Sequence, residues 1–294
     1  MVFPTETVYG LGADAENEAA VQRIYQVKGR PENHPLIVHI ASINQLDYWV
    51  CDVPSYAIAL AREFWPGSLT LVLPRSKHAK DFITGGQESV GIRVPAHPLA
   101  LKLLQEFHNL GGQGIAAPSA NLFGKVSPTT AMAAKEQIGD RLSHEDLILD
   151  GGPCLVGIES SVIDCTQSAP RILRPGAITE RMIFEVTGLN CQASGATIRV
   201  SGALENHYAP KAALRVNEEV ASGAGFIALA DVKTPEGLER IASPQNIDEY
   251  ARIFYESLRL ADQKGIKEIL VVPPAGEGLA VAIRDRIEKA RTKS

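Results

Sequence analysis

Residues 3–15, FPTETVYGLGADA, contain the pattern G-x-G-x-x-A and are followed by a helical pattern over residues 16–27. This glycine spacing is typical of the turn that binds the pyrophosphate of a dinucleotide. A dinucleotide site also needs an acidic residue at the end of the next strand, where it binds the ribose. Here the next strand, PLIVHI at residues 35–40, ends without a carboxylate. A dehydrogenase is therefore a weak interpretation of this stretch.

The composition excludes several classes of protein. Of 294 residues, 45% are hydrophobic and 21% are charged, as in ordinary globular proteins. No apolar run is long enough to span a membrane, and the start lacks a secretory signal pattern. The four cysteines form no C-x-x-C pair, so we expect neither a zinc site nor a disulfide framework and place the chain in a reducing cytoplasm. The net charge of −5 predicts weak or absent direct binding to nucleic acid, which requires clustered Lys and Arg.

Short apolar strands alternate with amphipathic helical segments along the chain, which predicts an α/β fold. The predicted helices are 16–27, 54–64, 98–107, 129–138, 247–264 and 278–291. The predicted strands are 36–40, 69–73, 90–94, 115–117, 147–149, 160–164, 213–216, 225–229 and 268–272. Small polar residues dominate 188–202, where the pattern weakens. We therefore predict a catalytic domain over 1–187, a linker over 188–211 and a small α/β domain over 212–294.

Cations and polar side chains cluster at the predicted ends of these elements. Lys28 and Arg30 follow the first helix, outside its apolar face, where both could reach one anionic ligand. Ser119 and Asn121 come just after a short strand, and Ser127 precedes a helix. Ligands of open α/β sheets bind beyond the carboxyl ends of strands. These residues therefore form a candidate edge of a binding site.

Two more arginines, Arg93 and Arg174, lie at strand ends before prolines. Four cations on separate loops would suit a nucleoside triphosphate. Each residue also has an ordinary explanation: Ser and Asn often cap helices, and a single Arg is usually solvated. His39 in an apolar strand is more often a core histidine than a ligand. Thr5, Thr7 and Tyr9 would alternate along one face of a strand, which β-propensity alone could explain. Only the combination of these residues favours a site.

Several segments together resemble the YrdC-like family. They are TETVYGL (5–11), KGR (28–30), PL (35–36), SAN (119–121), ESS (159–161) and RPG (174–176). The segment HYAP (207–210), followed by a small α/β domain, is similar to the two-domain branch of that family. The resemblance covers nearly the whole chain. It implies a twisted open mixed sheet with flanking helices, followed by a linker and a smaller Rossmann-like domain.

The resemblance also implies a nucleotidyltransferase reaction, in which L-threonine, bicarbonate and ATP give L-threonylcarbamoyladenylate and pyrophosphate. Mg²⁺ would be bound through the ATP phosphates. The product would pass to a threonylcarbamoyl transferase complex that acts on the tRNA adenosine next to the anticodon. Two alternatives within the family are an enzyme that forms carbamoyl-adenylate and a non-catalytic RNA-binding module. The absence of a zinc-finger cysteine pattern and the acidic net charge disfavour them.

The resemblance assigns roles to individual residues of this chain. The nucleotide contacts would be Lys28, Arg30, His34, Ser89, Ser119, Asn121, Ser127, Arg174 and His207, of which Lys28, Arg30, Ser119 and Asn121 would be catalytic. The threonine contacts would be Thr7, His39, Arg93, the backbone at Ala117, and Ser160. Residues 207–208 would lie across the mouth of the site as a gate.

Three features depart from the family pattern or lie outside it. His34 stands where the family usually has Asn. The family usually has a further segment ahead of its first motif, so either residues precede Met1 or the sheet lacks an edge. The second domain has no catalytic pattern. Its helical arginines are predicted to lie on solvated faces; they are Arg252, Arg259, Arg284 and Arg286.

Overall fold

The computed structural model describes residues 1–193, 195, 198–200, 202 and 208–291. The strands are β1 Val2–Phe3, β2 Gly10–Leu11, β3 Ala13–Asp14, β4 Ile37–His39, β5 Leu69–Pro74, β6 Ser89–Arg93, β7 Ile115–Ala116, β8 Ser161–Asp164, β9 Arg171–Arg174, β10 Ala213–Arg215, β11 Gly225–Ile227, β12 Glu239–Ala242 and β13 Glu268–Val271. The α-helices are α1 Glu18–Lys28, α2 Leu46–Trp49, α3 Ser55–Phe64, α4 Asp81–Thr84, α5 Pro98–Asn109, α6 Ala131–Ile138, α7 Glu180–Thr187, α8 Ile247–Gln263 and α9 Leu279–Ala290.

The larger sheet has seven strands in the order β3-β7-β4-β6-β5-β8-β9. The pairs β4–β6 and β5–β8 are parallel and the others are antiparallel, so the sheet is mixed as predicted. In this register His39 on β4 lies opposite both Arg93 on β6 and Ile115 on β7. Strand pairing therefore brings two predicted ligand-binding side chains from distant parts of the chain to adjacent positions.

The smaller sheet is parallel throughout, in the order β10-β13-β11-β12. Helix α8 packs an apolar stripe that includes Tyr250, Phe254 and Leu258 into the core beside this sheet, because these residues recur at the helical period. The predicted α/β class and the Rossmann-like second unit are confirmed. Within the described chain, no helix combines the length and apolar character that a membrane crossing needs.

The opening glycines do not form a dinucleotide-binding turn. Strand β2 pairs antiparallel with β1, and a Cβ on Gly12 would lie 2.7 Å from side-chain atoms of both Phe3 and Ile115. The expected strand through Thr5 and Thr7 is also wrong. The Thr5 hydroxyl donates to Val8 O at 2.7 Å and accepts from Val8 N at 3.2 Å. The Thr5 hydroxyl thus satisfies the backbone N–H and C=O of Val8, which a strand would pair with a neighbouring strand, so this segment forms a turn.

Most predicted elements are present, with ends that differ by no more than two residues. The predicted strand at 147–149 is wrong, since Ile148 forms only an isolated bridge with Val2. The sequence patterns missed three longer elements, α7, β9 and β12, and the short elements β1, β2, β3, α2 and α4. Strand β12 is at the edge of the small sheet and carries exposed charge, which hides the apolar pattern of a buried parallel strand.

The predicted solvated faces of the second domain are wrong for two arginines. Arg252 is exposed and Arg284 is half-buried, but Arg259 is 8% exposed and Arg286 is fully buried. Arg259 donates to Ser127 O at 3.1 Å, across the boundary between the two sheets. Helical periodicity cannot reveal such contacts, because it reports only one helix and not the surface against which the helix docks.

Candidate active site

One cleft of about 620 Å³, including its open mouth, lies beside β4, β6 and β7. Ten of the predicted site residues line it: Lys28, Arg30, Ser119, Asn121, Arg174, Thr7, His39, Arg93, Ala117 and Ser160. Among the lining residues that the structure describes, four are Lys or Arg and one, Glu159, is a carboxylate. This excess of cations favours an anionic ligand.

Three predicted contacts that the structure describes do not line this cleft. His34 lies outside the lining, and Ser89 lines a neighbouring cavity. Ser127 is buried one layer behind the cleft, where its hydroxyl donates to Glu159 Oε1 at 2.6 Å. His207 lies outside the described residues.

Lys28 is at the end of α1 and is 2% exposed, so the expectation that it lies outside the buried face is wrong. Its ammonium donates to Ser119 O and Asn121 O, each at 2.6 Å. Burial and the nearby Arg30 charge lower its pKa well below the usual range. An ammonium has three N–H donors, so one remains for a ligand in the cleft. Lys28 therefore both supports the 119–121 loop and offers positive charge.

Arg30 reaches the cleft because α1 stops at Gly29. Gly29 has φ 61°, a left-handed conformation that costs glycine little. The Arg30 amide bonds back to Tyr25 O at 3.0 Å, and its guanidinium donates to Pro35 O at 3.0 Å. The guanidinium carbon lies 5.8 Å from the centre of the Phe123 ring. The K-G-R motif thus places one cation, Lys28, in the last turn of α1 and a second, Arg30, just beyond the end of the helix.

Asn121 presents an acceptor that protein groups leave unused. Its Nδ2 donates to Leu122 O at 2.7 Å and to Lys125 O at 2.8 Å. Its Oδ1 is buried and has no hydrogen-bond partner within the described part of the chain. A buried acceptor without a partner is costly, so this oxygen is suited to a donor on a bound molecule.

Arg93 is held by a buried carboxylate. Its guanidinium donates to Glu6 Oε1 at 2.5 Å, to Thr7 Oγ1 at 2.9 Å and to Gly67 O at 3.2 Å. Burial raises the pKa of Glu6, but the Arg93 charge and the Ala96 amide outweigh it, and the net shift is downward. Two of the five guanidinium N–H groups remain for a ligand.

His39 is neutral at physiological pH. Burial, reinforced by the Arg93 charge, lowers its pKa to about 3. Its Nδ1 is buried and makes no hydrogen bond to any residue that the structure describes. A neutral imidazole beside an arginine can accept or donate one hydrogen bond without adding charge.

Arg174 and Ser160 form another part of the lining. Arg174 donates to Ser160 O at 3.0 Å through Nε and to Ser160 Oγ at 3.1 Å. Ser160 Oγ also lies 2.8 Å from Thr70 Oγ1. Arg174 is 3% exposed, and burial lowers its pKa. These contacts fix the guanidinium before any ligand binds, which reduces the ordering cost of binding.

Sequence reasoning assigned no role to two carboxylates, Glu6 and Glu159. Each is single within an uncharged stretch, and each adjoins a predicted threonine contact, Thr7 or Ser160. A single carboxylate beside hydroxyl residues in an apolar context is a signal that could have identified them, because such a group needs a cation when buried.

The ionisation of Glu159 should make the free energy of unfolding depend on pH in the acid range. Burial raises its pKa, but the Arg286 and Arg174 charges and the Ser127 hydrogen bond hold it at about 2, below the ordinary value of 4.5. The ionised Glu159 carboxylate therefore contributes about 3 kcal/mol to the free energy of unfolding. This contribution is complete above pH of about 4.5 and declines as the pH falls towards about 2. We expect urea unfolding to show this decline.

The matched variant Glu159→Gln should be less stable at neutral pH and should lose less stability on acidification, because its side chain does not titrate. An equal loss in both proteins between pH of about 5 and about 3 would contradict the assignment.

Both parts of the chain match known family models. Residues 1–176 match the model Sua5_yciO_yrdC, described as Telomere recombination. Residues 178–291 match Sua5_C, described as Threonylcarbamoyl-AMP synthase, C-terminal domain.

Relatives and solved structures agree with these matches. The threonylcarbamoyl-AMP synthases of Pyrococcus abyssi and Bacillus subtilis are each 38% identical, over 99% of this chain and 89% and 88% of their own lengths. The crystal structure of P. abyssi Sua5 complexed with L-threonine has a TM-score of 0.86 at 36% identity, covering 98% of this chain and 89% of that chain. A doubly substituted form of the same protein also gives 0.86.

Proposed function

Because this chain belongs to the Sua5/YciO/YrdC family and its activity is threonylcarbamoyl-AMP synthesis for tRNA modification, we propose that this cationic cleft binds ATP and L-threonine side by side. The observation that supports this proposal is the meeting of Lys28, Arg30 and Arg174 with Arg93 in one lining. The P. abyssi relative has been solved with L-threonine.

The proposed reaction makes defined chemical demands. The threonine amine captures carbon dioxide from bicarbonate as a carbamate, whose oxygen then attacks the α-phosphorus of ATP. The bond from that phosphorus to the bridging oxygen breaks, and pyrophosphate leaves. Positioning and charge neutralisation supply most of the catalysis of such a step. A site of buried cations and hydroxyl groups meets these demands.

The nucleotide end of the cleft is proposed to be the Lys28 side. Lys28 has one free donor direction, and the Arg30 fork matches phosphate geometry. Asn121 Oδ1 is an acceptor, so it is suited to a hydroxyl or amino group of the nucleotide rather than to its phosphates. Ser119 and Arg174 complete the set of proposed contacts.

The threonine end is proposed to be the His39 side. Arg93, fixed by Glu6, offers its remaining N–H groups to the threonine carboxylate. Neutral His39 and the Thr7 hydroxyl offer hydrogen bonds without charge. Ser160 and the Ala117 backbone border the same space. An amine that must attack carbon dioxide has to be unprotonated, and nearby arginines favour that form.

Mg²⁺ is proposed to enter with ATP, held by the phosphate oxygens. Glu159, the carboxylate in the described lining, already accepts hydrogen bonds from Ser127, Tyr255 and Arg286. A hard cation prefers free oxygen ligands, so phosphates suit it better than this saturated carboxylate. When bound, the ion would neutralise phosphate charge. Transfer of the product to a tRNA-modifying complex and the cytoplasmic location remain predictions.

A direct assay tests the proposal. We expect the purified protein to release pyrophosphate from ATP only when both L-threonine and bicarbonate are present. Omitting threonine while keeping bicarbonate separates this activity from carbamoyl-adenylate formation. A folded protein whose pyrophosphate release is independent of threonine would contradict the proposed site. Tight tRNA binding that persists in Asn121→Ala would instead favour an RNA-binding role.

A further inference from the structure

Arg286, on the last helix of the second domain, reaches the wall of the cleft. It is fully buried. Its Nε donates to Glu159 Oε2 at 2.9 Å, and one terminal nitrogen donates to Pro175 O at 3.0 Å. The other terminal nitrogen donates to Asp285 Oδ2 at 2.5 Å. One guanidinium thus joins two separate segments of the first domain to the second.

Those two segments carry the cleft residues of this wall. Glu159 directly precedes Ser160, and Pro175 directly follows Arg174. Ser160 and Arg174 are hydrogen-bonded to each other at 3.0 and 3.1 Å. Arg286 therefore hydrogen-bonds to Glu159, next to Ser160 in the chain, and to Pro175, next to Arg174. A displacement of its guanidinium would shift both cleft residues, because each is one peptide unit away.

Two tyrosines extend this arrangement. Tyr255 on α8 donates to Glu159 Oε2 at 3.0 Å. Its ring stacks on Tyr208, with centres 5.6 Å apart, and the Arg286 guanidinium carbon lies 5.4 Å from the Tyr208 ring centre. Tyr208 lines the cleft. The second domain thus supports one more lining residue through aromatic and cation–π contacts.

We propose that Arg286 is a positioning residue for the synthase reaction, acting through Glu159, Pro175 and Tyr208 on the wall that contains Ser160 and Arg174. The inference rests on the proposed substrate site. The second domain, which has no catalytic pattern of its own, then contributes to catalysis by fixing the geometry of the first. Small displacements of Ser160 and Arg174 should weaken their contacts to the bound substrates and so raise KM, because these contacts depend on precise orientation.

A purely structural role is the alternative, since the two domains also share apolar packing. Val8, Val126 and Ile158 of the first domain lie in the same buried cluster as Tyr255 and Phe254 of the second. If Arg286 only holds the domains together, its replacement lowers the unfolding temperature but leaves KM unchanged in the folded protein. If it positions the wall, KM changes while the protein remains folded.

The substitution Arg286→Lys separates these roles. Lysine keeps a charge for Glu159 but cannot bond Glu159 and Pro175 O at once with a planar fork. We expect kcat/KM for ATP and for L-threonine to fall about tenfold, chiefly through KM. The matched control is Arg284→Lys on the same helix, whose arginine donates to Pro274 O at 2.7 Å and Gly276 O at 2.8 Å within its own domain.

Kinetics of pyrophosphate release and the unfolding temperature are measured for each protein. Arg284→Lys should stay within about twofold of the unsubstituted protein in both KM values. Equal KM values in the two lysine variants would overturn the positioning role. If Arg286→Lys does not fold, Tyr255→Phe is tested instead, because it removes one hydrogen bond to Glu159 and keeps the aromatic ring. The KM of this variant should rise about threefold. An unchanged KM in Tyr255→Phe would overturn the proposal. Absent activity in the unsubstituted protein would reject the proposed function instead.

Discussion

Replacing Lys28 with alanine is expected to lower kcat/KM for ATP by about 10³, measured as threonine-dependent pyrophosphate release. The ammonium is lost from a buried position where its attraction for phosphate is weakly screened. The substitution also removes the hydrogen bonds to Ser119 O and Asn121 O, so the loop that carries two further proposed contacts loses its support. Both effects act in the same direction on turnover.

The matched control is Lys125→Ala, which removes an exposed lysine close to the same loop. This variant should retain activity within about twofold. Circular dichroism and thermal unfolding check that both proteins are folded. Activity of Lys28→Ala equal to that of Lys125→Ala, in folded protein, would remove Lys28 from the nucleotide site.

Arg93→Met is expected to abolish detectable L-threonine binding in calorimetry and to lower the free energy of unfolding by about 3–5 kcal/mol. The threonine site loses the cation proposed to bind the threonine carboxylate. Glu6, which is 6% exposed, is left buried without its counter-ion. The counterpart is Arg75→Met, which replaces a half-buried arginine whose acidic partners are exposed. Arg75 pairs with Asp81 and Glu88, whose side chains are 77% and 88% exposed, so its loss should cost under about 1 kcal/mol.

The double variant Glu6→Gln, Arg93→Met separates stability from binding. Removing the unpaired carboxylate charge should recover about half of the lost stability, because the desolvation penalty of a neutral amide is smaller. Threonine binding should not return, since the cation is still absent. Recovery of binding in the double variant would show that Arg93 acts only by neutralising Glu6.

Local signals in the sequence were sufficient for much of the first domain. The first helix, predicted over 16–27 and observed over Glu18–Lys28, follows from helical periodicity. The same kind of reasoning gave most elements of the α/β pattern. It failed at residues 5–8, where the Thr5 hydroxyl replaces strand pairing with a local turn.

The sequence by itself determined the α/β alternation, the two-domain order and the candidate cations Lys28, Arg30, Arg93 and Arg174. Only the tertiary structure decided which carboxylate neutralises which arginine. Glu6 and Arg93 are 87 residues apart in the chain, and Glu159 and Arg286 are 127 apart. Periodicity and capping report interactions over a few residues, whereas these pairs depend on strand order and on the docking of one domain against the other. Burial then makes each pairing obligatory, because a charge removed from water requires a partner.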